Sequence, residues 1–124
     1  MSPPLAGVWA AAWNAHEVDA VVSWYAADGV HRMASGATHT GAPELRAMVE
    51  RTLLAYPDVG FDVRDAFIAD DHFAIEYTMR GTRDGRTVEI DGVLVGTVDR
   101  DARVRACVDY LDHLSIRRQL GLAD

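Results

Sequence analysis

Asp109 stands late in the last apolar run of the chain, with Asp112 three residues on and His31 far upstream in Val30-His31-Arg32-Met33. A carboxylate or an imidazole held among apolar walls can move a proton, because burial and neighbouring charges tune its pKa toward that task. Asp109 is the first candidate for such a role. Its alternative is an exposed strand aspartate. Simple alternation along residues 103–111 puts Val104, Ala106, Val108 and Tyr110 on the core face and Asp109 on the other. A bulge or a curl at the strand's end is needed to aim Asp109 inward. Asp112 is the second candidate, but it precedes His113-Leu114-Ser115-Ile116 and suits a helix N-cap better. His31 can relay a proton or orient a substrate oxygen; its plainer reading is a half-exposed strand histidine. Tyr77 lies in an apolar stripe with Met79, and its hydroxyl can serve as an oxyanion donor or simply end a core side chain.

Other chemistries find no support. No two histidines stand at i, i+3 or i, i+4 with a carboxylate, so no metal site is expected. Cys107 is the only cysteine, which excludes an internal disulfide and a thiolate cluster. No nucleophile elbow, phosphate loop or dinucleotide fingerprint occurs, and no cofactor is expected. The net charge of −7 disfavours nucleic acid and anionic membrane surfaces as partners. No apolar run nears membrane-spanning length and the N-terminus lacks a signal-peptide pattern, so a cytoplasmic protein is expected.

The elements that must carry these residues are short and closely spaced, as one domain of 124 residues requires. A helix is expected from about Pro3, capped by Ser2, with Leu5, Val8, Trp9, Ala12 and Trp13 on its buried face. A second short helix shows Val18, Val21, Val22 and Tyr25 on one side. Asp28-Gly29 reads as a turn, residues 30–33 as a short strand and residues 35–41 as a loop. A third helix from about Pro43 presents Leu45, Met48, Val49, Leu53 and Tyr56, and Pro57 ends it. The period then changes to two. Phe61, Val63 and Phe67 alternate with polar residues, and Phe73, Ile75, Tyr77 and Met79 do so cleanly. Asp70-Asp71, Asp84-Gly85 and residues 99–102 are turn signals. Gly92 and Gly96 interrupt the alternation of Val88 and Ile90 and suggest a bend. A last strand covers residues 103–111, and a short helix of about residues 113–120 stops at Gly121. Helices followed by a run of strands argue an α+β fold with a mostly antiparallel sheet. Bent at glycines around the three N-terminal helices, that sheet forms a cone whose hollow is a natural pocket.

Three stretches resemble the SnoaL-like polyketide cyclases of the nuclear-transport-factor-2-like cone-fold superfamily. They are Trp13-Asn14-Ala15-His16-Glu17 with Trp24-Tyr25-Ala26-Ala27-Asp28-Gly29, then His39-Thr40-Gly41 with Tyr56-Pro57-Asp58, and Asp109-Tyr110-Leu111-Asp112 with Arg118-Gln119-Leu120-Gly121-Leu122. The resemblance implies a homodimer, no metal, and acid–base chemistry on a hydrophobic substrate in the cone. In the cyclases an aspartate moves a proton while a carbanion-like carbon attacks a carbonyl, and Asp109 matches an aspartate position of limonene epoxide hydrolase-like members. Trp9, Trp13, Tyr25, Met33, Tyr77, Met79, Leu94 and Leu111 are then expected to wall the pocket. The fold hosts isomerases, hydrolases, cyclases and binding proteins alike, so the activity stays open. A ketosteroid isomerase-like mechanism is opposed by Trp9, Met33 and Leu94 at the places of its tyrosine, base and neutral acid. An epoxide hydrolase-like Asp-Arg-Asp set is opposed by Tyr77 and Met79. A binding protein without chemistry is the remaining alternative, and a carboxyl pointing into the cavity distinguishes the two. The row Thr87, Glu89, Asp91, Val93, Val95 and Thr97 is the expected dimer face.

Overall fold

The structure, a computed structural model, describes residues 4–122. The expected cap at Ser2 and start at Pro3 lie outside the described residues. Helix α1 (Pro4–Asn14) buries Ala6, Trp9, Ala12 and Trp13, whereas Val8 is more than half exposed and leaves the predicted face. Helix α2 (Val18–Ser23) ends before Tyr25, which opens strand β1 (Tyr25–Met33). Asp28-Gly29 is therefore no turn between elements but an irregularity inside that strand, where pairing jumps from Tyr25 to Val30. Glycine fits there because a Cβ on Gly29 would meet two carbonyl oxygens at 2.9 Å. The predicted loop 35–41 contains strand β2 (Thr38–Thr40), and α3 (Gly41–Ala55) begins two residues before Pro43. The Glu44 carboxylate reaches back to the Thr40 N–H at 2.8 Å and so satisfies one of the orphan donors at that end.

Strands β3 (Gly60–Ala69), β4 (His72–Arg83), β5 (Arg86–Val98) and β6 (Val104–Leu111) follow as a meander, and α4 (His113–Gln119) closes the chain. The β4–β5 turn has positive φ at both Asp84 and Gly85, the backbone that a two-residue hairpin needs. The six strands form one curved, unclosed sheet in the order β2-β1-β6-β5-β4-β3, antiparallel except where β1 runs parallel to β6. Gly92 and Gly96 do not break β5. They lie where other groups press on the strand: a Cβ would come within 2.5 Å of the Tyr77 hydroxyl and 2.2 Å of the Ala106 carbonyl. Together the sheet and four helices are the α+β cone expected from the sequence.

The core lies between the concave sheet face and α1–α3. Aromatic rings dominate its centre: Trp9 sits 4.9 Å from Phe61 and 5.4 Å from Tyr77 between ring centroids. The edge strand β3 is tied to α1 by one side chain. Asn14 donates to the Phe61 carbonyl at 3.0 Å and accepts from the Phe61 N–H at 2.8 Å. One side chain thus satisfies both backbone groups of Phe61 at the sheet edge. Among the described residues no helix is long and apolar enough to cross a membrane.

Candidate active site

Asp109 points inward because β6 carries a bulge. Thr97 pairs with Ala106, but Val98 pairs with Val104, which leaves Arg105 as the extra residue. Before it Val104 faces the core; after it Cys107, Asp109 and Leu111 take the inner side. Ala106, Val108 and Tyr110, expected on the core face by unbroken alternation, lie on the outer one, with Tyr110 46% exposed.

The inner face opens on a cavity of about 440 Å³. Its walls come from Trp13 of α1, Met48 and Thr52 of α3, Tyr56 beyond it, Phe61 of β3, and Tyr77 and Met79 of β4. His31 and Met33 of β1 and Asp109 and Leu111 of β6 close another side, while Ile116 and Leu120 of α4 with Leu122 cover it. Arg83, His113 and Arg117 bring the remaining charged or titratable groups. Most of these side chains are apolar, and Asp109 is the one carboxylate among them.

A connected polar cluster holds that carboxylate. Tyr77 donates its hydroxyl to Asp109 Oδ1 at 2.5 Å. His31 Nε2 stands 3.6 Å from Asp109 Oδ2 and 3.4 Å from the Met33 sulfur. His31 Nδ1 meets the Tyr25 hydroxyl at 2.9 Å and the Cys107 sulfur at 3.4 Å. Nε2 faces acceptors alone, which suits the tautomer with its proton there, and the single lone pair of Nδ1 then accepts from the nearer Tyr25 hydroxyl. Burial, then the charges of Cys107 and Asp109, push the Tyr25 hydroxyl well above its ordinary range. Burial, then Asp109, do the same to Tyr77, so both phenols stay protonated donors. Burial, followed by Asp109, pushes the Cys107 thiol up to about 12. Loss of solvent, then the nearby His31, lowers His39, whose ring centroid is 6.4 Å from that of His31. The arrangement offers one proton acceptor and two donors around one spot on an apolar wall.

The expected residues divide into three groups. Trp13, Met33, Tyr77, Met79 and Leu111 line the cavity with Asp109 and His31. Trp9, Tyr25 and Leu94 do not reach it; they are 3%, 2% and 1% exposed and form the layer behind. Tyr25 acts on the site indirectly, through His31. Asp112 is the N-cap of α4: its carboxylate accepts from the Ser115 N–H at 3.0 Å, it is exposed, and it does not line the cavity. His31 is 6% exposed, not half-exposed. His113, at the start of α4, is half-buried and lines the cavity. Lining the cavity without having been expected there are Met48, Thr52, Tyr56, Phe61, Arg83, Leu122 and the contributions of α4. The Ile116/Leu120 spacing of four was the available signal for α4. Among the described residues no three His, Cys, Asp or Glu side chains converge as metal ligands.

A family model described as a SnoaL-like domain matches residues 8–107. None of the curated proteins matches the chain. Among solved structures, a hypothetical protein of ketosteroid isomerase-like fold from Catenulispora acidiphila DSM 44928, in complex with trimethylamine, is 28% identical. It superposes with a TM-score of 0.89, over 98% of this chain and 95% of its own. A candidate SnoaL-like polyketide cyclase from Shewanella denitrificans OS-217 is 20% identical, with a TM-score of 0.78 and 95% of each chain covered. The epoxide hydrolase/cyclase-like enzyme SalBIII, which has a role in pyran ring formation in polyether salinomycin, is 14% identical, with a TM-score of 0.80 over 88% of each chain. At those identities the last two share the fold alone.

Proposed function

Because the chain belongs to the SnoaL-like domain family, we propose that it is a cofactor-free enzyme that moves protons on a hydrophobic carbonyl compound. Ring closure by an aldol-type step is the form this reading takes. Asp109 removes a proton from the carbon beside a carbonyl, and the electron pair moves onto the carbonyl oxygen. Once protonated, Asp109 no longer needs the Tyr77 hydroxyl proton, which turns to that oxyanion beside the donor at His31 Nε2. The enolate carbon then attacks a second carbonyl of the same molecule. Asp109 returns its proton to the alkoxide, so nothing is gained or lost.

The observation that carries this reading is the single carboxylate in an otherwise largely apolar cavity, with a phenol at 2.5 Å and an imidazole at 3.6 Å. A protein that only holds an apolar ligand has no use for a half-buried carboxylate, which costs free energy to desolvate. The test is deuterium incorporation into 2-tetralone in D2O, followed by mass spectrometry. The protein should exchange the protons beside the carbonyl above the buffer rate. Asp109→Asn should lose about 10²- to 10⁴-fold of that rate, the ordinary range for a general base, and keep its circular dichroism. Exchange at the wild-type rate in that variant removes Asp109 from the role.

A second reading is favoured by the trimethylamine complex of the 28%-identical relative. Aromatic faces and one carboxylate also make a receptor for an amine cation. Calorimetric titration with trimethylammonium chloride tests it. Saturable binding that Asp109→Asn abolishes supports amine binding, and absence of heat at millimolar ligand removes it.

A further inference from the structure

The charges around the cavity are arranged against the charge of the chain. The chain carries 19 acidic residues against 12 arginines, with no lysine, yet the cavity is lined by two arginines and one carboxylate. Three of the chain's arginines hold carboxylate partners: Arg46 pairs with Asp19, Arg80 with Asp62 and Glu89, and Arg105 with Asp71. Arg83 and Arg117, the two arginines that line the cavity, have no carboxylate partner within 4.0 Å among the described residues. Arg117 spends one nitrogen on the Leu122 carbonyl at 3.0 Å, which steadies its side chain and leaves donors over. Both arginines are exposed, so they stand at the mouth, whereas Asp109 is at the floor with Tyr77. Arg83 lies six residues beyond Tyr77 on the same face of β4, about 20 Å of extended backbone. A guanidinium side chain spans part of that gap.

We propose that the substrate is an elongated hydrophobic carboxylate, its anionic end held at the mouth by Arg83 and Arg117 and its reacting carbon directed to Asp109. This deepens the acid–base reading and rests on Asp109 being the base. Opposite charges at the two ends of the ligand path, Asp109 at the floor and the arginines at the mouth, make the polarity of entry specific. Asp109 repels a carboxylate that enters first, and the arginines retain one that follows. The forked guanidinium also matches the planar carboxylate better than an ammonium would.

Two fluorescent probes of one skeleton test the proposal: 9-anthracenecarboxylate and its uncharged analogue 9-anthracenemethanol. The wild-type protein should bind the carboxylate about tenfold more tightly at low salt, and 0.5 M KCl should shrink that preference by screening. The double variant Arg83→Gln/Arg117→Gln should bind both probes alike, with its affinity for the alcohol unchanged, which also shows that the cavity is intact. Equal affinities in the wild type, or a preference that survives in the double variant, overturn the proposal. If the preference fails while 2-tetralone exchange persists, the mouth assignment falls and the base at the floor stands. If neither probe binds, the cavity as a ligand site falls, and this proposal with it.

Discussion

At the residue scale, the site is governed by what burial does to neighbouring proton donors. Tyr77, Tyr25 and Cys107 all hold their protons more tightly than usual, first because of burial and then, wholly or in part, because of the Asp109 charge. The sign of the linked stability follows. Between pH 9, the ordinary thiol value, and about 12, the folded state keeps a proton on Cys107 that the unfolded chain has lost. That contribution is whole below pH 9 and disappears as pH rises through this window, with the two phenols adding to the loss above pH 10. Urea midpoints should therefore fall progressively above pH 9. The same burial keeps the thiol unreactive. Native protein at pH 8 should react with iodoacetamide at least about a hundredfold more slowly than urea-unfolded protein, since the thiolate is the nucleophile. Equal rates would mean that Cys107 is not enclosed behind His31.

At the element scale, the decisive features are places where a strand departs from regularity. The bulge at Arg105 turns Asp109 inward, and the irregularity in β1 leaves Tyr25 and His31 on one side, six residues apart yet bonded. Gly92 has a comparable part on β5. A Cβ there would stand 2.5 Å from the Tyr77 hydroxyl oxygen and 2.6 Å from the carbon bearing it, so the tyrosine would have to move off Asp109. Gly92→Ala should cost about 1–3 kcal/mol, as overpacking in a formed core does. It should also lower the exchange rate to the level of Tyr77→Phe. Chemical denaturation and the deuterium assay measure the two effects separately. Unchanged values in both would show that Tyr77 has room to stay where it is.

At the scale of the whole molecule, one face remains to be explained. Phe67, Val95 and Tyr110 are 62%, 40% and 46% exposed on the convex side. Register places Phe67 opposite Ala74, Ala74 opposite Val95, Val95 opposite Val108, and Val93 opposite Tyr110. An apolar row across four neighbouring strands is more than scattered surface hydrophobics, and a second copy of the sheet is its expected cover. Sedimentation at tens of micromolar protein should show a dimer. Val95→Glu should give a monomer that keeps its fold, because the side chain points away from the core. A wild-type monomer at that concentration would leave the row without this partner.

The periodicities of the chain determined much of this by themselves. Trp9, Ala12 and Trp13 at helical spacing, and Phe73, Ile75, Tyr77 and Met79 at a spacing of two, specify which element each segment becomes and which face it buries. Asp84-Gly85 fixes a hairpin, because two successive residues there need positive φ. Asp112 announced itself as a cap by standing before a short helical run. The direction of Asp109 was not legible in the same way. Its bulge is a property of β6 paired with β5, so residues 104–111 alone read as unbroken alternation. Nor could spacing reveal that Tyr25 leaves α2 to hold His31, or that Arg83 and Arg117 line one cavity with Phe61 and Leu122. Local preference acts over a few residues, whereas a cavity is made by contacts between segments far apart in the chain. Only the pairing of whole strands and the closure of α4 decided which side chains met.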